Sequence, residues 1–88
     1  MYAYYAYSIF MSTVLVSRGL KFKINPRDHN PPHVHVEGYG ATVRIDLRTF
    51  QPMDDTDFSR TDLKRIVEVI QAHAEELNAK WEEYHGKD

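Results

Sequence analysis

Three short stretches in the first half of the chain alternate polar and apolar residues, and the second half switches to a helical spacing. Leu20–Ile24 sets Leu20, Phe22 and Ile24 on one side and Lys21 and Lys23 on the other. His33–Glu37 sets Val34 and Val36 against His33, His35 and Glu37. Ala41–Arg48 sets Val43, Ile45 and Leu47 against Thr42, Arg44, Asp46 and Arg48. A period of two marks a half-buried strand. Thr13–Ser17 is rich in β-branched residues and reads as a further strand. Arg18-Gly19 and Gly38-Tyr39-Gly40 are placed as hairpin turns, where glycine supplies positive φ. Asn25–Pro32 carries the Asn-Pro and Asn-Pro-Pro signals of a loop.

After an acidic connection, Thr49–Asp57, the segment Ser59-Arg60-Thr61-Asp62 has the form of a capping box with aspartate in place of glutamate. Phe58 and Leu63 flank it at the positions of a hydrophobic staple. Leu63, Ile66, Val67, Ile70, Ala74, Leu77, Trp81 and Tyr84 then stay in phase on one helical face. The spacing predicts one helix of about 25 residues, roughly 37 Å long, with a break near Ala72–Glu75 as the alternative. The expected fold is therefore α+β: an antiparallel meander of three or four strands, with one long C-terminal helix on its apolar face. Alternation alone collects Lys21, Lys23, His33, His35, Glu37, Arg44 and Arg48 on the other face, which is where function is expected.

Composition narrows the class. Eighty-eight residues make one domain, expected over residues 11–88. Met1–Phe10 holds four of the six tyrosines and no charged side chain. Its alternation breaks at Tyr4-Tyr5, so it reads as a loosely ordered extension, with Met11 as the true start. The competing reading makes it an added edge strand or a contact between copies of the chain in a homo-oligomer. Zero cysteines exclude disulfides and thiolate metal sites. No apolar run approaches the roughly 20 residues that span a bilayer, and the start lacks the pattern of a secretory signal. A cytoplasmic protein without membrane partners is expected.

The net charge of −2 hides a split. From Arg18 to Arg48 six bases stand against three acids, and from Asp54 to Asp88 five bases stand against ten acids. A basic first half suggests either a polyanion-facing surface or charge balance within the molecule.

The chemistry concentrates in Asp28-His29-Asn30-Pro31-Pro32-His33-Val34-His35-Val36-Glu37, which holds three of the five histidines. His33 and His35, two apart on a strand, point to one side, about 6–7 Å apart at the backbone. Imidazoles that titrate near neutral pH suit general acid–base work on an RNA phosphodiester. Lys21, Lys23, Arg44 and Arg48 are the candidates to bind phosphate and neutralise the charge that develops on it. Tyr39 is a candidate to stack on a base. In this scheme His33 and His35 are the acid/base pair, His29 assists, and no cofactor is needed. A metal site is the alternative: His29 folding back to join His33 and His35 would suit zinc or another divalent transition metal. The plainer readings make His29 a loop hydrogen-bonder to Asp28, His73 a packing residue, and His85 a partner of the helix C-terminal dipole.

Residues Met11–Gly86 resemble a family of short bacterial proteins described as domain of unknown function family 4160. The resemblance runs through Met-Ser-Thr-Val-Leu at the start, the Asp28–Glu37 motif, the Gly38–Gly40 turn, Phe58-Ser59, Glu75-Glu76-Leu77 and Trp81–Gly86. It implies a small protein encoded beside a cognate partner protein in a toxin–antitoxin-type module. A toxin-like RNA-binding protein or metal-independent ribonuclease is the expectation that follows. The alternatives are a non-catalytic, antitoxin-like or regulatory protein-binding module and a metal-dependent hydrolase using His29, His33 and His35. The family brings no established catalytic residues to assign.

Overall fold

The computed structural model describes residues 12–86. The expectations for Met1–Phe10 lie outside the described residues. Four strands, β1 (Ser12–Ser17), β2 (Leu20–Ile24), β3 (His33–Gly38) and β4 (Ala41–Asp46), form one antiparallel meander in the order β1-β2-β3-β4. Two tight turns set its register. Arg18 and Gly19 have φ of 53° and 81°, and Tyr39 and Gly40 have φ of 54° and 77°. Positive φ at both central residues is the signature of the type I′ turn, whose twist matches that of the flanking strands. The Tyr39 hydroxyl ties the two hairpins together by donating to the Arg18 carbonyl.

The apolar side of the sheet is as the alternation predicts. Phe22, Ile24, Val34, Val36 and Ile45 are fully buried. Edge strand β1 alternates poorly because it carries a bulge: Thr13 pairs with Lys23 and Leu15 with Phe22, leaving Val14 as the extra residue. At the other edge β4 stops at Asp46, two residues before the predicted end. The Asp46 Oδ1 accepts from the Arg48 and Thr49 N–H groups at 2.7 and 3.2 Å. This side-chain turn competes with further strand pairing and carries Arg48 off the sheet. The chain then returns along β4, with Asp46 N–H bonded to the Gln51 carbonyl and Met53 N–H to the Arg44 carbonyl.

The helical half corrects the expectation of one long helix. It forms two, α1 (Arg60–Ala72) and α2 (Ala74–His85), with His73 between them at φ −117°, ψ 23°. Ser59 caps α1, its Oγ accepting from the Asp62 N–H at 3.0 Å, and Phe58 is buried beside the first turn. A straight helix would run roughly 37 Å, about twice the length of strands of five or six residues. The break lets Ile66 and Ile70 of α1 and Leu77 and Trp81 of α2 enter one core. Both helices keep the same apolar stripe, so periodicity alone does not register the break. No helix among the described residues is long and apolar enough to cross a membrane.

Gly38 closes the second hairpin against the first. A Cβ there would lie 2.8 Å from the Gly19 carbonyl oxygen and 2.9 Å from Leu20 Cδ2, and the first of these is backbone that has little room to yield. At Gly40 a Cβ meets nothing within 4 Å, leaving only the cost of positive φ, about 1 kcal/mol. Gly38→Ala is therefore expected to lower unfolding stability by about 1–3 kcal/mol and to exceed the loss in Gly40→Ala, as read by urea denaturation.

Candidate functional site

The site begins with Asn25. Its carbonyl accepts from the Asp28 N–H at 3.1 Å and its side-chain oxygen from the Arg27 N–H at 2.9 Å. This turn points Asp28 back over the start of β3. The Asn30–Pro31 peptide is cis, one of the two bonds at which the Pro-Pro sequence allows it. The two proline carbonyls are then used in different ways. Pro31 accepts from His33 Nδ1 at 2.8 Å, and Pro32 accepts from the Leu47 N–H at 2.9 Å, which fastens the loop to the end of β4.

The Asp28 Oδ2 lies 2.5 Å from His35 Nε2 and 2.9 Å from His33 Nε2. The three ligand atoms all lie within 4.8 Å of one another. The first contact is a hydrogen bond. The second is short but out of line, so His33 Nε2 is buried with no hydrogen-bond partner. The His33 side chain is only 4% exposed, while His35 and Asp28 are 25% and 20% exposed. The His33 ring is held between His35, with centroids 5.2 Å apart, and Trp81 of α2, at 5.3 Å. The centre is thus closed on the side of Trp81 and partly open at His35 and Asp28.

Of the predicted site residues, the fold brings His33 and His35 together and leaves His29 exposed, outside the group of converging ligand atoms. Asp28, its neighbour, takes the place assigned to His29. The signal was in the motif, since Asp28 opens it. Which of two adjacent loop residues turns inward depends on the Asn25 turn, and residue types do not decide that.

The cations are placed less simply. In the strand register Lys23 and Arg44 flank His35 on either side, and Lys21 lies opposite Glu37. Lys23 Nζ pairs with Glu37 at 2.5 Å, and its hydrogen bond holds the Glu37 carboxyl below the usual carboxylate range. Arg44 forks onto Asp54, with Nη2 to Oδ1 at 2.6 Å and Nε to Oδ2 at 3.0 Å. The same hydrogen bonds raise the arginine and lower the aspartate from their ordinary values. Asp54 also accepts from the Arg44 backbone N–H, which the returning chain makes accessible. Lys21 is exposed on the sheet, and Arg48 is exposed in the turn after β4 rather than on its face. Asp54 carried no sequence signal beyond lying in an acidic connection. Tyr39 is 58% exposed, its ring edge against Phe58.

The other histidines are at helix ends. His73 sits at the break, its Nδ1 3.2 Å from Glu76 Oε1. His85 Nδ1 donates to the Trp81 carbonyl at 2.9 Å and its ring stacks on Trp81 at 3.7 Å, in keeping with its expected place at the helix C-terminus.

Residues 19–82 match the model of the family described as domain of unknown function DUF4160. The chain belongs to this family. No curated protein and no solved structure matches it.

The Arg44–Asp54 and Lys23–Glu37 pairs generate a pH prediction. A carboxylate whose folded pKa is depressed contributes stability that is present above its unfolded value, near 4, and is lost as pH falls through the folded value. Asp54→Asn is therefore expected to lower stability at neutral pH by about 0–1 kcal/mol, the range of partly exposed pairs, and to match the wild type near pH 2, so that the fall between about pH 5 and pH 2 is flatter by the same amount. Urea midpoints measured across that range check the prediction.

Proposed function

We propose that this member of the DUF4160 family is a hydrolase directed at RNA phosphodiesters, a toxin-like component working beside a small partner protein, with Asp28, His33 and His35 as its reaction centre. The observation that carries the reading is the meeting of one carboxylate oxygen with two imidazole nitrogens at a partly open end of the face that bears Lys21, Lys23 and Arg44. Cleavage of a phosphodiester needs a group that manages the proton of the attacking hydroxyl and cations that meet the charge forming on phosphorus.

The burial of His33 changes the assignment within the centre. An imidazole 4% exposed is poorly placed to touch a polymer, so the expected acid/base pair becomes a division of labour. His35 and Asp28 face the substrate, and His33 is a positioning residue whose buried ring backs His35 and lies against the carboxylate. Lys23 and Arg44 adjoin His35 and are steadied by their acidic partners, so they present fixed but partly neutralised charge. Lys21 adds an exposed cation on the same face. Binding to RNA in this arrangement is weaker and more local than an unpaired basic face would give.

The test uses the full chain, expressed in bacteria and purified, against structured and unstructured RNA. The wild type is expected to inhibit growth and to cleave RNA, with His35→Ala and Asp28→Asn at least about 100-fold slower yet equally folded by circular dichroism. Undiminished cleavage by folded His35→Ala would falsify the reading. Capture of a protein partner with no RNA bound or cut would replace it with a non-catalytic docking module on the same face.

A further inference from the structure

We infer that Asp28 Oδ2, His33 Nε2 and His35 Nε2 together bind one divalent first-row transition-metal ion. The inference shares its centre with the hydrolase reading but gives His35 Nε2 and Asp28 Oδ2 a different role there, as ligands in place of proton-transfer groups. It stands on a separate observation, the orphaned nitrogen of His33.

The His33 ring spends its Nδ1 proton on the Pro31 carbonyl at 2.8 Å. In the neutral ring this leaves Nε2 as a bare lone pair. That lone pair is buried, has no hydrogen-bond partner, and lies 2.9 Å from a carboxylate oxygen. Two lone pairs so close repel each other unless a cation lies between them. A proton on Nε2 would serve if it pointed at Oδ2, but the contact is not aligned as a hydrogen bond. A metal ion needs no such alignment between its ligands. It asks only that the donors close on one point, and a third donor, on His35, lies within 4.8 Å of the other two.

The surrounding contacts fit the same occupant. A histidine that ligates a metal through one nitrogen usually donates the other N–H to a carbonyl or carboxylate, which fixes tautomer and ring orientation. Pro31 does this for His33. Donors around an ion bound at about 2.1 Å stand about 3.0–3.4 Å apart, so the 2.9 Å contact is already suitable. The 2.5 Å contact to His35 would widen by about half an ångström as the proton it now shares is displaced. Two imidazoles and one carboxylate select zinc, cobalt, nickel, iron or manganese over the oxygen-seeking calcium and magnesium. Three protein ligands leave positions for water or a phosphate oxygen on the open side, beside His35 and Asp28. Asp46 lies opposite His33 in the register, but its Oδ1 is committed to the Arg48 and Thr49 N–H groups.

The ligand set differs from the one that the motif suggests by itself, since Asp28 replaces His29, and this makes it testable residue by residue. Full-length protein without a polyhistidine tag is stripped with chelator and titrated with Zn²⁺ or Co²⁺ in the absence of RNA, followed by calorimetry and by the visible absorption of Co²⁺. One ion per chain is expected, with affinity at least about tenfold weaker in Asp28→Asn and in His35→Ala and unchanged in His29→Ala. Uptake below about 0.1 ion per chain at saturating metal, or wild-type affinity in Asp28→Asn, overturns the site. Loss of binding in His29→Ala overturns it as well, in favour of a different ligand set. The two proposals fail separately. Metal uptake with intact RNA supports the site and removes the hydrolase reading, whereas full cleavage by the stripped protein with no uptake does the reverse.

Discussion

A buried imidazole needs something on both of its nitrogens, and one end of this protein is arranged around His33, which has a hydrogen-bond partner on only one of them. One nitrogen is served by the Pro31 carbonyl two residues earlier, which requires the chain to turn sharply before β3 begins. The other faces Asp28, which the Asn25 turn folds back over the strand. The ring is covered by Trp81, which reaches it from the second of two helices. Loop, strand start and helix break therefore converge on one side chain. Burying a polar nitrogen without a partner costs several kcal/mol, so these features together enclose one unmet demand, that of His33 Nε2.

The neighbouring electrostatics follow a similar rule. Lys23, His35 and Arg44 lie side by side across three antiparallel strands. Each has an acid brought to it: Glu37 for Lys23, Asp28 for His35 and Asp54 for Arg44. The last pair joins the basic half of the sequence to the acidic half. Part of the charge split along the chain is thus balance within the molecule, and the polyanion-facing reading has to work with what remains, chiefly Lys21 and the edge at His35.

The elements were legible in the sequence almost to the residue where local chemistry decides them. β2 and the start of β3 follow from clean alternation, the turns from glycine at positive φ, and the α1 start from the Ser59 cap. Legibility failed where the periodic pattern runs on past the point at which the chain turns. The strand through Arg48 stops early because the Asp46 side chain captures the following N–H groups. The helix breaks at His73, with φ −117° and ψ 23°, inside the alternative range Ala72–Glu75, although its apolar stripe never falls out of phase. At the site, His33 and His35 were found because a period of two sets them on one face. Alternation says nothing of a helix returning over the end of a strand, so the cover that Trp81 gives His33 is not legible in it.

Some of this protein was decided by the sequence alone. Periodicity and turn residues are local properties, so they determine an antiparallel meander with an apolar face, a helical region to cover it and a histidine-bearing strand. The rest waited for tertiary structure. Asp28 rather than His29 meets the histidines, Asp54 claims Arg44, and Trp81 closes over His33, all through contacts between segments far apart along the chain or through the direction of a loop. Residue type and spacing establish which groups are available. Only the folded path establishes which of them meet and which are shielded from water, and the chemistry of an imidazole depends on both.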